Sequence, residues 1–338
     1  MKKKLLNIFL TIILIISSLG LAGCGKDRNS GLQKVRLNEV VRSTFYAPMY
    51  VALSKGFFEE EGLEIELSTG QGADKTMQQV LSGAVDIGFS GPEQVIYIYN
   101  QGREDMPIVF AQLTQTDGSF LVGRKPEENF DWKSLKGKTI IGGRPGGVPQ
   151  MALEYALKLN GLDPNKDVKF VTNLDFTATS GAFKSGTGDY VALFEPTASM
   201  LEKDKSGYIV GSIGKEAGNI AYTCFYATES YIKKNPEIIQ KFTNAIYKGQ
   251  QWFASHSDKE VAESIISFFP GSDIDIVTNV IKNYRKINAI ASDPTINEAD
   301  LNKLMDIIQG YKADLIKVRP AFNEIVDNSF AEKAMKNK

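Results

Sequence analysis

Ser82-Gly83-Ala84-Val85-Asp86 leads into the apolar run Ile87-Gly88-Phe89, and Ser185-Gly186-Thr187-Gly188-Asp189 leads into Tyr190-Val191-Ala192-Leu193-Phe194. Both read S-G-x-x-D followed by a strand. After each strand a carboxylate stands beside a proline, Pro92-Glu93 in the first copy and Glu195-Pro196 in the second. Proline suits the first turn of a helix, where its missing N–H is not needed, so both copies read strand, tight turn, helix. Upstream, each copy has a helix ending at Gly-Leu (Gly62-Leu63, Gly161-Leu162) and then a strand, LEIEL over 63–67 and DVKFV over 167–171. Further upstream stand a strand, a loop and a proline: Pro48 after STFYA (43–47), and Pro149 after GGRPGGV (142–148). Short Gly/Ser/Asp matches arise by chance, but three elements in the same order make a repeat. Alternating strands and helices imply parallel sheets covered by helices. The fold class is therefore α/β, in two pseudo-equivalent lobes.

The repeat also sets the lobe limits. Phe120-Leu121-Val122-Gly123-Arg124 leaves the first lobe, and DWKSLKGKTII (131–141) opens the second. Residues 220–227 (IAYTCFYA) form a strand-like run that brings the chain back. From Tyr231 onward nearly everything has helical spacing, with too few strands for a third sheet, so this tail is expected to pack on lobe one. The expected limits are 34–120 plus 226–338 for lobe 1 and 121–225 for lobe 2. Two crossing strands between two lobes make a hinge with a cleft.

Residues 1–24 read apart from the rest. MKKK is a basic start, residues 5–17 are an almost unbroken apolar run, and Leu21-Ala22-Gly23-Cys24 follows. This is the layout of a secretory signal. A retained anchor would need roughly 20 apolar residues, and the small pair before a single cysteine argues for cleavage instead. LAGC (21–24) resembles the lipobox of bacterial lipoproteins, so residues 1–23 are read as a lipoprotein signal peptide, and 24–33 as a polar, flexible tether. The chain has 338 residues, 43% of them hydrophobic and 23% charged, which is ordinary globular composition. Without Lys2, Lys3 and Lys4 the net charge is −4 in place of −1, and no strongly basic segment occurs, which argues against nucleic acid as a partner. There are two cysteines. With lipid on Cys24, Cys224 stands alone in an apolar run and reads as a buried, inert thiol.

Ligands of open α/β sheets bind beyond the carboxyl ends of the strands, at helix N-termini. The turns at those places are STFYA, TGQGAD (69–74), SGPEQ (90–94), TQTDGS (114–119), GGRPGGVPQ (142–150), NLDFTAT (173–179) and the region of Glu195. They are rich in small polar residues, which suits a polar solute, although tight turns need Gly and Ser in any case. Catalysis finds less support. The single histidine, His256, sits on the helical tail, and no G-x-S-x-G, H-E-x-x-H or CxxC occurs. No cofactor, metal or catalytic residue is expected.

Several stretches resemble one family, the solute-binding lipoproteins of ABC importers of the alkanesulfonate, nitrate and thiamine-precursor type. They are YAPMYVA (46–52), KGFFEEEGL (55–63), SGAVDIG (82–88), LKGKTI (135–140) with its glycine-rich loop, GLDPNKDV (161–168) and NPEIIQKFTNAIYKGQQW (235–252). The lipobox resemblance implies lipid on Cys24 and a place on the extracytoplasmic face of the cell membrane. The family resemblance implies the two-lobed type II periplasmic-binding-protein fold, with two crossover strands at a hinge and the ligand cleft between the lobes. It implies a monomer that hands a small solute to a membrane permease and its ATPase. It also places Phe45 and Tyr46, residues 71–74, residues 90–93 and the loop 144–150 at the cleft. With the turns above, the candidate ligand residues are Phe45, Tyr46, Gln71, Asp74, Ser90, Gly91, Glu93, Thr116, Asp117, Arg144, Gly146, Gly147, Gln150, Phe176 and Glu195. The second lobe departs from the family pattern: GTGDYVALFEPT (186–197) stands where many relatives have a plain G-x-V-D-A. Acids and aromatics outnumber basic groups near the candidate loops, where only Arg144, Lys75 and Arg42 stand. A flat, neutral or weakly cationic heterocycle such as a pyrimidine is the expected solute. The alternatives are an aliphatic sulfonate, taurine or nitrate in the same role, a surface receptor without a transporter, or a thiamine-pyrimidine synthase-like enzyme. The enzyme's resemblance calls for a reactive histidine and a cysteine-rich segment, and neither is here.

Overall fold

The structure, a computed structural model, describes residues 31–336. The signal peptide, Cys24 and most of the tether lie outside the described residues. β1 (Gln33–Glu39) alternates, with Val35 and Leu37 buried and Arg36 outward. After it come α1 (Ala47–Ser54), β2 (Leu63–Thr69), α2 (Ala73–Leu81), β3 (Ile87–Ser90), α3 (Glu93–Asn100) and β4 (Pro107–Thr114). The second series is β5 (Ser119–Gly123), β6 (Thr139–Ile141), α4 (Val148–Leu159), β7 (Lys169–Val171), α5 (Thr179–Lys184), β8 (Tyr190–Phe194), α6 (Thr197–Lys203), β9 (Tyr208–Ser212) and α7 (Ile213–Ala217). β10 (Thr223–Thr228) then precedes the helical tail, whose main members are α8 (Pro236–Ser255), α9 (Asp258–Ile265), α10 (Ile274–Lys286), α11 (Glu298–Tyr311) and α12 (Ser329–Lys336).

The first sheet has the order β2-β1-β3-β10-β4 and the second β7-β6-β8-β5-β9. β1 pairs with β3, and β6 with β7 and β8, in parallel. The fourth strand of each sheet is antiparallel to both neighbours: β10 between β3 and β4, and β5 between β8 and β9. Each lies directly beyond a crossing from the other sheet, so the crossings fall at residues 115–118 and 218–222. The run 220–227 is therefore only partly strand. Its first residues belong to the crossing, and the strand continues to Thr228.

The S-G-x-x-D repeat does the same job in both sheets. The Asp86 N–H donates to Arg36 O at 2.9 Å, while the Arg36 N–H donates to Asp86 Oδ2 at 2.8 Å. In the second copy the Asp189 N–H donates to Thr139 O at 2.7 Å, and the Thr139 N–H to Asp189 Oδ2 at 2.8 Å. Gly83 at φ 72° and Gly186 at φ 101° take the left-handed turn that closes the helix before each clamp. The repeat is thus a strand-end clamp that fixes register.

The tail packs chiefly on the first sheet. α8 lays Ile239, Phe242, Ile246 and Phe253, all buried, against α1 and β4. Phe242 meets Phe225 of β10 at 5.1 Å between ring centroids, and Phe225 stacks on Phe89 of β3 at 4.2 Å. Truncating such a buried ring costs about 3–5 kcal/mol. The tail also reaches the second sheet's helices, through α10 against α6 and α11 against α4.

Candidate functional site

The two crossings run side by side. The Ile220 N–H donates to Gln115 O at 2.9 Å and the Tyr222 N–H to Thr114 O at 3.3 Å. Asp117 and Tyr222 thus sit on neighbouring crossings, beyond the end of the sheets. Gly214 lets α7 approach closely here: a Cβ on it would stand 1.8 Å from the Asp117 carbonyl oxygen.

A cluster of rings fills the space beside the crossings. Phe45, on the turn after β1, lies 4.7 Å from Tyr284 of α10, 5.8 Å from Tyr222 and 6.2 Å from Phe194 at the end of β8. It stacks on Tyr46 at 5.7 Å, and Tyr46 meets the edge of Phe89 at 4.6 Å. Phe45, Tyr46, Tyr222 and Tyr284 are all buried. Gly118 makes room for Phe45, since a Cβ there would come within 2.6 Å of the ring.

Four buried carboxylates surround the rings. Glu39, at the end of β1, accepts hydrogen bonds from Arg42 Nε at 2.6 Å, from Thr69 Oγ1 at 3.0 Å and from the Tyr50 hydroxyl. Glu195, after β8, accepts from the Ser199 N–H and hydroxyl at 2.9 and 2.8 Å and from Asn283 Nδ2 of α10 at 2.7 Å. Asp117 Oδ1 accepts from the Ser119 N–H at 2.8 Å and from its hydroxyl. Its Oδ2 is without a partner, and the nearby Tyr222 hydroxyl favours the ionised form of the same carboxyl. Glu93 Oε1 accepts from Gln94 Nε2 at 3.2 Å, and its Oε2 has no partner. Burial raises all four carboxyls above their ordinary range, Glu93 to about 7. Burial also raises the Tyr46 hydroxyl, with Glu39, Glu93 and Asp117 all acting on it, so these acids share one neighbourhood. Thr44 Oγ1, in the same turn as Phe45, is buried without a partner.

Arg144 and Asp74 pair at 3.0 Å between the loop after β6 and the start of α2, both about half exposed. Beside them the Tyr97 hydroxyl donates to Gly146 O at 3.5 Å. Glu93 feels both charges of this pair.

The structure brings together Phe45, Tyr46, Glu93, Asp117 and Glu195, and places Asp74, Arg144, Gly146 and Gly147 at the rim. Gly91 belongs with Glu93: a Cβ on it would come within 1.9 Å of Glu93 Oε2. Other candidates are committed elsewhere. Gln150 is buried, taking the Gly143 N–H on Oε1 at 3.0 Å and donating to Glu154 at 2.9 Å, so it braces the loop. The Ser90 hydroxyl is 2.7 Å from the Tyr226 hydroxyl, and Thr116 donates to Asp117 O at 3.1 Å. Gln71 is exposed at φ 58°, serving the turn. Phe176 lies in a short 3-10 turn after β7, and its side chain lies outside the described ones. Glu39, Thr44, Tyr222 and Tyr284 were not among the expected residues. An acid closing an apolar strand signalled Glu39. Tyr284 gave no local signal, since it reads as one ring of a covering helix.

Two surface depressions, of about 390 and 370 Å³, lie away from the rings. The first is lined by Lys55, Trp252 and His256, the second by Arg36, Asp86 and Tyr231. Among the described residues no group of His, Cys, Asp or Glu suits a metal ion, and no helix is long and apolar enough to cross a membrane.

Two sheets that exchange their fourth strands, with rings and acids gathered at the exchange, define the two-lobed periplasmic-binding-protein fold. The chain belongs to the NMT1/THI5-like family, whose model matches residues 43–260. It is 47% identical over 318 residues to YtlA of Bacillus subtilis, covering 94% of each chain, which is named as a binding protein with no ligand given. It is 24% identical over 261 residues to the formylaminopyrimidine-binding protein of Halalkalibacterium halodurans, covering 74% of this chain and 76% of that one. The aliphatic sulphonate binding protein SsuA from Escherichia coli has the same fold, with a TM-score of 0.69 at 15% identity over 87% of this chain and 97% of that one.

Proposed function

We propose that the chain is the extracytoplasmic solute-binding component of an ABC importer, held at the membrane by lipid on Cys24. It captures a small flat organic solute, a pyrimidine or similar heterocycle, and delivers it to a permease. The observation that carries this reading is the ring cluster between the sheets, with Phe45, Tyr222 and Tyr284 drawn from three separate parts of the fold. Phe45 of the turn after β1, Tyr222 of the second crossing and Tyr284 of the tail meet here, so a movement of one sheet against the other would part them. A flat solute that stacks among them would bind and close the lobes in one step. The family membership and the formylaminopyrimidine-binding relative support the same class of ligand.

We read the chain as a binder and not an enzyme. His256 stacks on Trp252 at 3.8 Å at the end of α8, apart from the rings. The Cys224 thiol is buried in β10, and burial pushes its pKa up, away from thiolate chemistry.

The test is a thermal-shift screen of residues 25–338 against thiamine, formylaminopyrimidines, riboflavin, taurine, alkanesulfonates, nitrate and aromatic acids. A ligand at 1,000 times its Kd adds roughly 4 kcal/mol, a shift of several degrees at this size. A heterocycle hit, with a smaller radius in solution scattering, supports the reading. A pyridoxal spectrum or turnover of a bound heterocycle would overturn it.

A further inference from the structure

The four buried carboxylates divide into two kinds. Glu39 is satisfied by Arg42, Thr69 and Tyr50, and Glu195 by Ser199 and Asn283. Glu93 and Asp117 each leave one oxygen without a partner. Their exposures are 3% and 0%, so bulk solvent does not reach them. An unpaired buried acceptor is expensive, and a carboxylate more so. An amide at either place would cost less, and at Asp117 it would keep an oxygen for the Ser119 bonds, so the second oxygens are not explained by stability.

We infer that Glu93 Oε2 and Asp117 Oδ2 are the specificity-determining acceptors of the site, and that the solute presents N–H donors to them. This rests on the solute-binding reading above. The surrounding charge points the same way. The guanidinium of Arg42 is committed to Glu39, and that of Arg144 stands at the half-exposed rim, paired with Asp74. A sulfonate or nitrate placed among the rings would lie beside buried acids, with Arg42 and Arg144 both already paired. An amino-substituted heterocycle, neutral or protonated, meets both free oxygens and stacks on the rings. Gly91 belongs to the device, because any side chain there would evict Glu93 Oε2 from its seat.

The experiment uses Glu93→Gln and Asp117→Asn in residues 25–338, with two probes, 4-amino-5-hydroxymethyl-2-methylpyrimidine and butanesulfonate. In calorimetry the pyrimidine should bind the wild type, and each variant should bind it at least about tenfold more weakly, the loss of one charge-assisted hydrogen bond. Without any probe, and at about pH 8, above the value of about 7 for Glu93, both variants should melt at or above the wild-type temperature, because each replaces a buried carboxyl that has an unpartnered oxygen with a neutral amide. Butanesulfonate binding to the wild type would overturn the inference. So would a fall of more than about 4 °C in either free variant, which would make the carboxylate a structural support. If neither probe binds, the melting comparison alone decides, a gain supporting the acceptors and a loss removing them. Failure of the parent reading looks different: no solute of any class would bind or close the lobes, whatever the variants' melting temperatures.

Discussion

The guanidinium of Arg144 stands 3.0 Å from the carboxylate of Asp74, the one on the loop after β6 and the other in the first turn of α2. The pair therefore ties the second sheet to the first at the rim above Glu93. Both side chains are about half exposed, so the pair is worth at most about 1 kcal/mol to folding. Its effect should appear in the lifetime of the closed form. Arg144→Ala should leave Tm within about 2 °C of wild type and speed release of a bound solute several-fold in stopped-flow fluorescence. The exchange Arg144→Asp with Asp74→Arg should restore slow release. Unchanged release in the single variant would remove the latch.

Glu93 carries a pH signature. Its carboxyl sits at about 7 in the fold against 4.5 in a free chain. A raised carboxyl keeps its proton in the native state where the unfolded chain has lost it. Its contribution is complete below 4.5 and disappears as pH rises through about 7. Burial raises Glu39, Asp117 and Glu195 in the same direction, so the comparison must be with a variant. Urea unfolding at about pH 5 and pH 8 should show wild type losing up to about 3 kcal/mol more than Glu93→Gln. Parallel slopes would mean that Glu93 ionises freely in the folded protein.

The two clamp aspartates should differ in weight. Asp86 accepts the Arg36 N–H at 2.8 Å and also takes that side chain in a fork, Nε at 3.0 Å and Nη2 at 2.6 Å. Asp189 accepts the Thr139 N–H at 2.8 Å. Asp86→Ala should cost about 2–3 kcal/mol and Asp189→Ala about 1 kcal/mol. Equal losses on denaturant titration would show that the arginine fork adds nothing.

Gly214→Ala should be among the most damaging single-methyl changes. The added Cβ would fall 1.8 Å from the Asp117 carbonyl, which is backbone and cannot swing aside. A loss of about 3 kcal/mol or more is expected, with β5 displaced. Gly118→Ala, whose Cβ meets the Phe45 ring at 2.6 Å, should fold better and disturb the rings instead. A mild Gly214→Ala variant on thermal melting would contradict the close crossing.

Much of this architecture was legible in the chain because its cause is local. The S-G-x-x-D repeat predicts two equivalent strand-helix series, and the aspartates clamp β1 in the first sheet and β6 in the second. Phe45, Tyr46, Glu93, Asp117 and Glu195 were legible because they sit in turns after strands. Tyr284 and Asn283 were not, because nothing in a helix of the tail records which sheet it will face. Gln150 looked like a ligand donor by position, yet its two amide atoms are consumed by Gly143 N and Glu154. The strand after the second crossing starts later than its apolar run suggests, since Ile220 and Tyr222 bond to Gln115 and Thr114, and Ala221 to Asp300, before pairing begins.

The exchange of fourth strands also has a consequence for synthesis. The second sheet is built wholly from residues 119–212, one uninterrupted stretch, whereas the first waits for β10. While the ribosome makes that stretch, β3 and β4 have no strand between them, and both are largely apolar, IGFS and PIVFAQLT. Open apolar strand edges invite pairing with other chains. The nascent first half is thus the sticky species of this protein. Until Thr223 and its neighbours arrive to fill the gap, those two strands keep open edges.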